Sequence, residues 1–384
     1  MQFTFFSFIM SLLWFNLYII IINSFRKNDN FIISFTTFPL IFFLVLSAFR
    51  LIFNFEVPGS IIIESKTIFP KIYDFFRIPL NLKGFSINII QIFIVIWSTV
   101  AIVLLISSII KYRRFKSSLY ELDKTRNREN ERVFNKILSK YQMSEKIKMI
   151  QHDNISSPFI LGLLNGKIYI PNISFSQEEL EYIILHEINH FKRKDSLKKI
   201  LIQSIKNIFW WNPFSHLFAN NFDHILEIQC DLKTTSSFTD DKKIRYLESI
   251  TKIIKDSTND IVEDSNVPML VNVEEIDLLK QRFRIVLNHK PKRNLFKLLS
   301  LILCILALAI NILSYFIIIQ PGYLPDEKDS LLTSEELNLQ EDSFIIKNSK
   351  GQYELYIDNL FQHIIDDINE DEYRDIPVYE EGSD

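Results

Sequence analysis

The stretch QEELEYIILHEINHFKRKDSL, residues 177–197, decides how this chain folds and which chemistry it can carry. Its apolar residues recur at helical spacing, so it predicts one amphipathic helix over its whole length. His186 and His190 are four positions apart and therefore lie on one face of that helix, within reach of a single metal ion. Together with Glu187 they form the H-E-x-x-H pattern of zinc peptidases. We predict one Zn²⁺ on the two histidines and Glu187 as the general base that takes a proton from water.

A third metal ligand is expected from a separate helix, because catalytic zinc sites commonly use three protein ligands. Glu227 is the best candidate, since it begins the string Glu-Ile-Gln-Cys-Asp in a second apolar and helical stretch after Pro213. Asp231 falls on the same helix face and is placed to accept the free N–H of a ligating histidine. His224, three residues before Glu227, is a rival ligand. The alternative for both carboxylates is a solvated acidic edge of a helix.

Much of the remaining chain has the composition of a membrane protein. Hydrophobic residues make up 48% of it, mean hydropathy is positive, and there are 34 phenylalanines. Four apolar segments are long enough to cross about 30 Å of hydrocarbon as helices. They are residues 3–23, 31–55, 85–110 and 295–319. We therefore predict a mainly α, polytopic membrane protein with four transmembrane helices. Arg50, near the end of the second segment, is expected to extend to the lipid headgroups.

The distribution of Lys and Arg beside these segments predicts their orientation. Basic residues follow the first and third segments and border the fourth, whereas none precedes the first, which is therefore not expected to be a cleaved signal peptide. This bias places residues 111–294 in the cytoplasm as one domain. The loop 56–84 and the tail 320–384 are then extracytoplasmic. Residues 1–110 hold three of the four spans, and both termini lie outside.

The segment before the histidine helix predicts a β-hairpin. Residues 157–162 have a strand-like pattern, Asn165-Gly166 is a turn signal, and a second apolar run follows it. Ser176 and Glu179 then form a capping box that begins the helix. The cytoplasmic domain is thus expected to be α+β. An edge strand beside the metal helix could pair with an extended substrate peptide, or it could be purely structural.

The chain contains these motifs in one order: Ser157-Pro158-Phe159, Gly162, Ile170-Pro171, His186-Glu187-x-x-His190 with Lys192-Arg193-Lys194-Asp195, Trp211-Asn212-Pro213 and Glu227-x-x-Cys230-Asp231. Together with the four spans, roughly residues 1–320, the series resembles the BlaR/MecR-type membrane metallopeptidases, the antirepressor transducers of bacterial β-lactam resistance. The resemblance implies a gluzincin-like zinc site in which His186, His190 and Glu227 are ligands and Glu187 is the base. It also implies a protein of the bacterial cell membrane that acts in signal transduction, by regulated proteolysis of itself or of a cytoplasmic repressor.

The tail departs from the well-known members of that family. Those carry a penicillin-binding sensor domain with an acylated serine in an S-x-x-K motif, whereas the 65 residues from Gln320 contain no such motif. We therefore expect no covalent β-lactam sensing. The tail has 18 Asp and Glu against 4 Lys and Arg, which predicts a largely disordered segment with one small ordered element within residues 349–368. Such a tail could bind an unidentified extracytoplasmic ligand or simply solubilise the protein.

Two other functions fit the same sequence. One is a non-catalytic membrane receptor or scaffold of this fold, and the other is a housekeeping quality-control metalloprotease. The set of base, ligands and Asp231 favours an enzyme, because a non-catalytic site has no need of Glu187. The basic clusters at residues 192–194 and 290–293 are expected to meet lipid headgroups rather than nucleic acid. Cys230 is interpreted as a packed residue, and residues 280–285 as a zone of self-cleavage.

Overall fold

The structure is a computed structural model. It describes residues 4–55, 57–82, 85–122, 128–140, 147–162, 164–264, 273–289, 294–321, 343–347, 352–357, 360–365 and 376–380. The chain divides into two compact units. The first comprises Met1–Ile63 and Ile72–Gln320, and the second comprises Glu64–Lys71 and Pro321–Asp384.

The N-terminal part of the chain is mostly helical. Its elements are α1 (Phe5–Lys27), α2 (Asp29–Phe35), α3 (Phe38–Ile52), β1 (Ile61–Ser65), α4 (Ile68–Arg77), β2 (Pro79–Leu82), β3 (Phe85–Asn88), α5 (Ile89–Leu122) and α6 (Arg128–Lys140). Strands β2 and β3 pair antiparallel.

The following part carries the motifs of the proposed site. Its elements are β4 (Ile147–His152), β5 (Phe159–Leu161), β6 (Gly166–Pro171), α7 (Gln177–Lys192), α8 (Asp195–Ile208), α9 (Pro213–Thr234), α10 (Asp240–Asp264), α11 (Val273–Asn288), α12 (Asn294–Leu313) and β7 (Ile317–Pro321). The molecule is therefore mainly helical.

Three helices among the described residues are long and apolar enough to cross a membrane: α1, most of α5 and most of α12. A fourth crossing exists only if α2 and α3, which meet at 100°, are counted as one bent span. The continuous helix predicted over residues 31–55 is therefore wrong. Its break has two local causes: Thr36 has a positive φ of 62°, and Pro39 lies in the first turn of α3. Proline lacks the N–H needed inside a helix but is tolerated at a helix start.

The ends of the other predicted spans also differ from the structure. The first helix continues beyond residue 23 to Lys27, and α5 begins at Ile89 rather than at 85 and continues to Leu122. The last helix ends at Leu313, and the rest of the predicted segment 295–319 turns into β7. Apolar composition sets how much of the chain can be in lipid, whereas the helix ends depend on local hydrogen bonding.

The predicted hairpin before α7 is confirmed. Strand β5 pairs antiparallel with β6, and β4, which the sequence analysis missed, pairs with β6 in parallel to give the order β4-β6-β5. This arrangement leaves β5 at an edge of the sheet. The apolar stripe of α7 covers one face of the sheet, with Ile184 and Ile188 packed against Ile160 and Ile168. The sheet and α7 therefore form one rigid support for the histidines.

The helix predicted over residues 177–197 begins as expected but ends early. The capping box of Ser176 and Glu179 is confirmed, with reciprocal side-chain to backbone hydrogen bonds of 2.7 and 3.2 Å. Helix α7 ends at Lys192, and Lys194 adopts a left-handed conformation with φ 54°. The chain then turns sharply into α8, which changes the direction in which Asp195 points.

Helix α9 packs into the same apolar cluster as the candidate membrane helices. Phe218, Phe222 and Ile225 of α9 are buried in a cluster that includes Phe15 and Ile19 of α1. Since fully burying one such side chain stabilises a fold by about 1.5–3 kcal/mol, this contact fixes α9 firmly against α1. The helix that carries Glu227 is thus held by an apolar helix of the N-terminal bundle.

Arg50 does not extend outward as predicted. Its guanidinium is buried, donates to Ser314 Oγ at 3.0 Å and to the Ser314 carbonyl at 3.4 Å, and lies over the ring of Tyr315 at 4.2 Å. A cation at this position offsets the partial negative charge at the C-terminus of α12. Arg50 therefore ties α3 to the end of α12.

The second unit contains a small sheet of β8 (Ser343–Lys347), β9 (Tyr353–Ile357), β10 (Leu360–Ile365) and β11 (Val378–Glu380) in the order β10-β9-β8-β11. Strands β9 and β10 fall inside the element predicted within residues 349–368, whereas β8 and β11 were not predicted. Ile345, Leu355, Ile365 and Ile376 form its core. The predicted disorder elsewhere in the tail concerns residues outside the described ranges.

Replacement of Gly162 by alanine should destabilise the hairpin beside α7. Gly162 has φ +121°, and a Cβ there would lie 1.9 Å from the carbonyl oxygen of Asn165. We expect a loss of about 2–4 kcal/mol, seen as a lower midpoint of thermal unfolding of the protein in detergent. Gly59→Ala is the matched control, because Gly59 also has a positive φ, +86°, but has open space around it. Equal losses from the two substitutions would contradict this account.

Candidate metal centre

The two histidines of α7 converge on one point. His186 Nε2 and His190 Nε2 lie 3.0 Å apart, one helical turn from each other on the same face. Two ligand atoms bound tetrahedrally to one Zn²⁺, each at about 2.0–2.1 Å, are about 3.3 Å apart. The observed separation is therefore close to what a shared zinc ion requires.

Glu227 of α9 completes a three-donor set. Its Oε2 lies 3.6 Å from His186 Nε2, and its Oε1 lies 3.7 Å from His190 Nε2. The expected juxtaposition of Glu227 with the histidine pair is present, although 41 positions separate it from His186 in the chain. Two imidazoles and one carboxylate are a common donor set of catalytic zinc, so these residues fit that metal.

Asp195 holds the outer nitrogen of His190. Its Oδ2 lies 2.9 Å from His190 Nδ1, and Arg193 and Lys198 each contact the same carboxylate at 2.9 Å. When Nδ1 donates its proton to a carboxylate, Nε2 is left free to bind a metal. This role of Asp195 was not predicted from the sequence. In the sequence this role is indicated only by the position of Asp195 directly after the basic residues 192–194. The turn at Lys194 directs Asp195 back toward α7.

His186 is held by a relay rather than by a direct contact. Its Nδ1 lies 2.8 Å from Tyr246 Oη, and Tyr246 donates to Asp231 Oδ1 at 2.6 Å. Asp231, expected to bond a ligating histidine, is 3.4 Å from His186 Nδ1. Arg282 donates two hydrogen bonds to this carboxylate, of 2.7 and 3.0 Å. Tyr246 and Arg282 were missed, because nothing in the local sequence places α10 and α11 beside α9.

Charge in the pocket favours a cation. Burial lowers the pKa of His190, but its hydrogen bond to Asp195 and the contacts with Cys230 and Glu227 raise it to about 12. Burial likewise opposes the contacts that raise the pKa of His186 to about 10. Burial raises the pKa of Glu227, yet the two histidines bring it well below its usual range. The three donors therefore stabilise positive charge between them.

Glu187 is buried and lines the cavity beside the two histidines. Burial raises the pKa of its carboxyl, while the nearby histidines lower it. Among the described residues its carboxylate has no hydrogen-bond partner. A carboxylate with free lone pairs and a raised pKa can accept a proton from water, which is the role expected for it.

Cys230 and His224 also lie near the site, and they differ in whether they could be the third ligand in place of Glu227. Cys230 Sγ forms a compact group with the ring nitrogens of both histidines, with all ligand atoms within 4.8 Å of one another, and it also donates to the His186 carbonyl at 3.2 Å. A His2Cys donor set is therefore geometrically possible as well. His224, the rival ligand of the sequence analysis, instead bonds Gln281 Oε1 at 2.9 Å. Burial lowers the pKa of His224 to about 4.

The donors open into a cavity of about 470 Å³. One wall is the edge strand β5 with Phe159 and Ile160, and another is an apolar face of α10 with Ile250 and Ile253. Lys199 and other charged residues form the polar side. The cavity is thus large enough for several side chains of an extended peptide, beside a strand edge with open backbone groups.

Comparison with known proteins identifies the family. The family model described as BlaR1 peptidase M56 matches residues 79–286, more than half of the chain. The chain belongs to the BlaR1 peptidase M56 family. The matched region contains all the residues of the candidate metal centre, from His186 to Arg282. Membership in a metallopeptidase family implies a metal cofactor, in agreement with the donor set.

Three relatives illustrate the extent of the similarity. The methicillin resistance protein mecR1 of Staphylococcus aureus is 30% identical over 181 residues, covering 45% of this chain and 30% of that protein. The regulatory protein BlaR1 of Bacillus licheniformis is 24% identical over 220 residues, covering 56% of this chain and 36% of the relative. BlaR1 of Staphylococcus aureus is 28% identical over 164 residues, 41% of this chain and 27% of the relative. Each match therefore spans about a third of the relative's length.

Tyr246→Phe should weaken metal binding without unfolding the protein. Removing the hydroxyl breaks the relay from His186 to Asp231, and loss of such an outer partner typically lowers metal affinity about 10–100-fold. Competition for Zn²⁺ with a chelator of known affinity measures the change. Tyr182→Phe is the control, because the Tyr182 hydroxyl bonds Glu178 instead of a histidine. If both variants retain the parent's affinity, the relay has no role in holding the metal.

The third ligand can be identified by comparing Glu227→Gln with Cys230→Ser. We expect Glu227→Gln to lose most of its bound zinc and Cys230→Ser to retain it, because the carboxylate faces both histidines whereas the thiol donates to a carbonyl. Metal content per protein measures this directly. Replacement of zinc by Co²⁺ gives a second readout, since a bound thiolate produces an intense near-ultraviolet charge-transfer band. That band in the parent, together with its loss in Cys230→Ser, would assign the position to Cys230.

Proposed function

We propose that this protein is a membrane-embedded zinc endopeptidase, with one Zn²⁺ held by His186, His190 and Glu227. The observation that carries the proposal is the convergence of Glu227 on the histidine pair next to a buried Glu187 that has no hydrogen-bond partner in the described part of the chain. A structural site needs ligands only, whereas this one also places a proton acceptor in the cavity.

Each group of residues in the site has a separate role in peptide hydrolysis. A zinc ion held by the three donors would act as a Lewis acid toward the substrate carbonyl and lower the pKa of water. Glu187 accepts the proton of the attacking water and delivers it to the amine that leaves. Asp195, Tyr246 and Asp231 keep the histidine rings in the tautomer that presents Nε2 to the cavity.

We further propose that the substrate binds as an extended strand along β5. This strand is an edge of its sheet and forms one wall of the cavity. Pairing with a sheet edge holds a peptide extended through its backbone, largely independent of its sequence. Residues 280–285, expected from the sequence as a self-cleavage zone, lie within α11, where Arg282 is bonded to Asp231. Cleavage there would require α11 to unwind, so an exposed segment elsewhere in the chain is a better candidate for self-cleavage.

The membrane arrangement belongs to the same proposal. Four crossings, with α2 and α3 counted as one bent span, place the metal centre on the cytoplasmic side of a bacterial cell membrane and both termini outside. Arg26 and Lys27 at the end of α1 and the basic residues near position 111 in α5 support this orientation. Residues 111–294 then form the peptidase domain and residues 320–384 the extracytoplasmic tail.

The biological role is proposed to be signal transduction by regulated proteolysis. The relatives are named as methicillin resistance and regulatory proteins. By analogy, the substrate is the chain itself or a cytoplasmic regulator such as a transcriptional repressor, and a ligand outside the cell would start the cleavage.

Glu187→Gln should abolish self-processing in membranes. Loss of a general base lowers the rate about 10²–10⁴-fold, while the amide leaves the packing nearly unchanged. Blotting of both chain ends after expression of the parent and the variant measures the fragments. Glu181→Gln is the control, because Glu181 lies on the same helix and makes an exposed ion pair with Lys140 instead. Identical fragments from all three chains would exclude self-cleavage at this site.

Purified parent with added zinc and a generic peptide substrate then tests endopeptidase activity by itself.

A further inference from the structure

Helices α8 and α9 form a hairpin, residues 195–234, whose tip lies beside α5. The Trp97 indole N–H donates to the Ile208 carbonyl at 2.5 Å, and the ring of Trp211 meets that of Phe93 with centroids 6.2 Å apart. Phe93 is 18 positions from Lys111 in the chain, about 27 Å along a helix. The tip of the hairpin therefore lies within the hydrocarbon length of this span, away from its basic end.

The contacts with α1 independently place the tip away from a basic helix end. The amide of Asn212 donates to Asn16 Oδ1 at 2.9 Å, and Phe209 stacks on Phe8 at 6.5 Å. Asn16 and Phe8 are 11 and 19 positions from Lys27, about 16 and 28 Å along the helix. Two candidate spans thus agree that the hairpin tip is far from their basic, inner ends.

The opposite end of the hairpin lies near the basic ends of the same helices. The amide of Asn207 donates to Ser108 Oγ at 2.8 Å. Asp195 lies 12 positions before Asn207 on α8, about 18 Å further toward the inner end of the hairpin. On α9, His224 bonds Gln281, which donates to the Arg26 carbonyl at 2.8 Å. Both helices therefore run along α1 and α5 rather than across them, with the metal centre at the basic end.

The outer surface of α8 is apolar where it runs beside α5. Leu197, Ile200 and Leu201 are 39%, 45% and 58% exposed, and they lie on one stripe because they are three and four positions apart. Nothing among the described residues covers this stripe. Asn207 bonds Ser108 of α5, and Leu201 lies six positions, about 9 Å, nearer the inner end of the hairpin, so the stripe is level with the basic end of the span. An exposed apolar stripe at this level fits the boundary between lipid headgroups and acyl chains.

The charged residues of the hairpin lie elsewhere and attract one another. Lys199 contacts Glu227 at 3.4 Å, and Lys199 and Lys206 both interact with Asp223 of the other helix. Charged groups at membrane depth are tolerated when they pair within the protein or border a hydrated cleft. The same charges, and the short length of α8, explain why hydropathy does not mark the hairpin as a span.

From these contacts we propose that α8–α9 is a re-entrant hairpin, which enters the bilayer from the inner side, with its tip among lipid acyl chains and its α8 stripe at their inner edge. The proposal rests on α1 and α5 crossing the membrane and is independent of peptidase activity. It changes the expectation that residues 111–294 are wholly cytoplasmic. Glu227 lies 14 positions from Pro213, about 21 Å from the tip, so the third donor is carried on a helix anchored in lipid.

Spin-label accessibility tests the proposal in vesicles of phosphatidylcholine and phosphatidylglycerol. The native cysteines are replaced by alanine in the chain, and one label is attached in each of three variants: Trp211→Cys at the tip, Ile102→Cys and Ile244→Cys. Ile102 on α5 is the lipid-facing control, and Ile244 on α10, 48% exposed and apolar, is the control outside the bundle. Collisions with oxygen report lipid, and collisions with a water-soluble nickel complex report water.

We expect the oxygen-to-nickel collision ratio at position 211 to be closer to that at 102 than to that at 244. A ratio closer to that at 244 would overturn the proposal. A further label, Leu197→Cys, separates insertion from a helix lying flat on the surface. An inserted hairpin requires the label at 211 to be several ångströms deeper than the label at 197, whereas equal depths would overturn the proposal. A midpoint of thermal unfolding equal to that of the cysteine-free parent verifies that the fold of each variant is intact.

Discussion

Two buried carboxylates, Asp195 and Asp231, are the constraint on which the candidate centre depends. Each bonds the side of a histidine that faces away from the cavity, directly for His190 and through Tyr246 for His186. Each is in turn neutralised by cations, which are Arg193 and Lys198 for one and Arg282 for the other. Buried carboxylates without such partners would be costly, so the basic residues around the site are part of its construction.

The site is assembled from helices whose positions are fixed in different ways. Helix α7 is held on the sheet by its apolar stripe, whereas α9 is held in the cluster that also contains α1 and α3. The metal donors therefore come from two supports, and relative movement of those supports would separate Glu227 from the histidines. Helix α11 bridges them, because Gln281 bonds the end of α1 while the adjacent Arg282 bonds Asp231. This connection links the centre to the end of α1.

Predictions that depend on neighbouring residues agree with the structure, whereas several that depend on contacts between distant residues do not. The capping box and the hairpin turn were predicted correctly, because both depend on residues within a few positions of one another. The continuous helix predicted over residues 31–55 is wrong although Pro39 is visible in the sequence, because the prediction gave apolar composition more weight than a local helix breaker. Arg50 was expected to reach the headgroups, but Ser314, more than 260 positions away, supplies its partner. The roles of the individual site residues stay predictions until metal binding and cleavage are measured.

By itself, the sequence determined the apolar helices, the capped histidine helix, the hairpin and membership in the peptidase family, since composition, periodicity and motif order are local or cumulative properties of the chain. Only the tertiary structure decided that Glu227 faces both histidines, that Tyr246 and Arg282 join Asp231, and that α8–α9 runs along α1 and α5. These are contacts between residues far apart in sequence. They depend on how apolar faces pack in three dimensions, and that packing is not encoded at any one position.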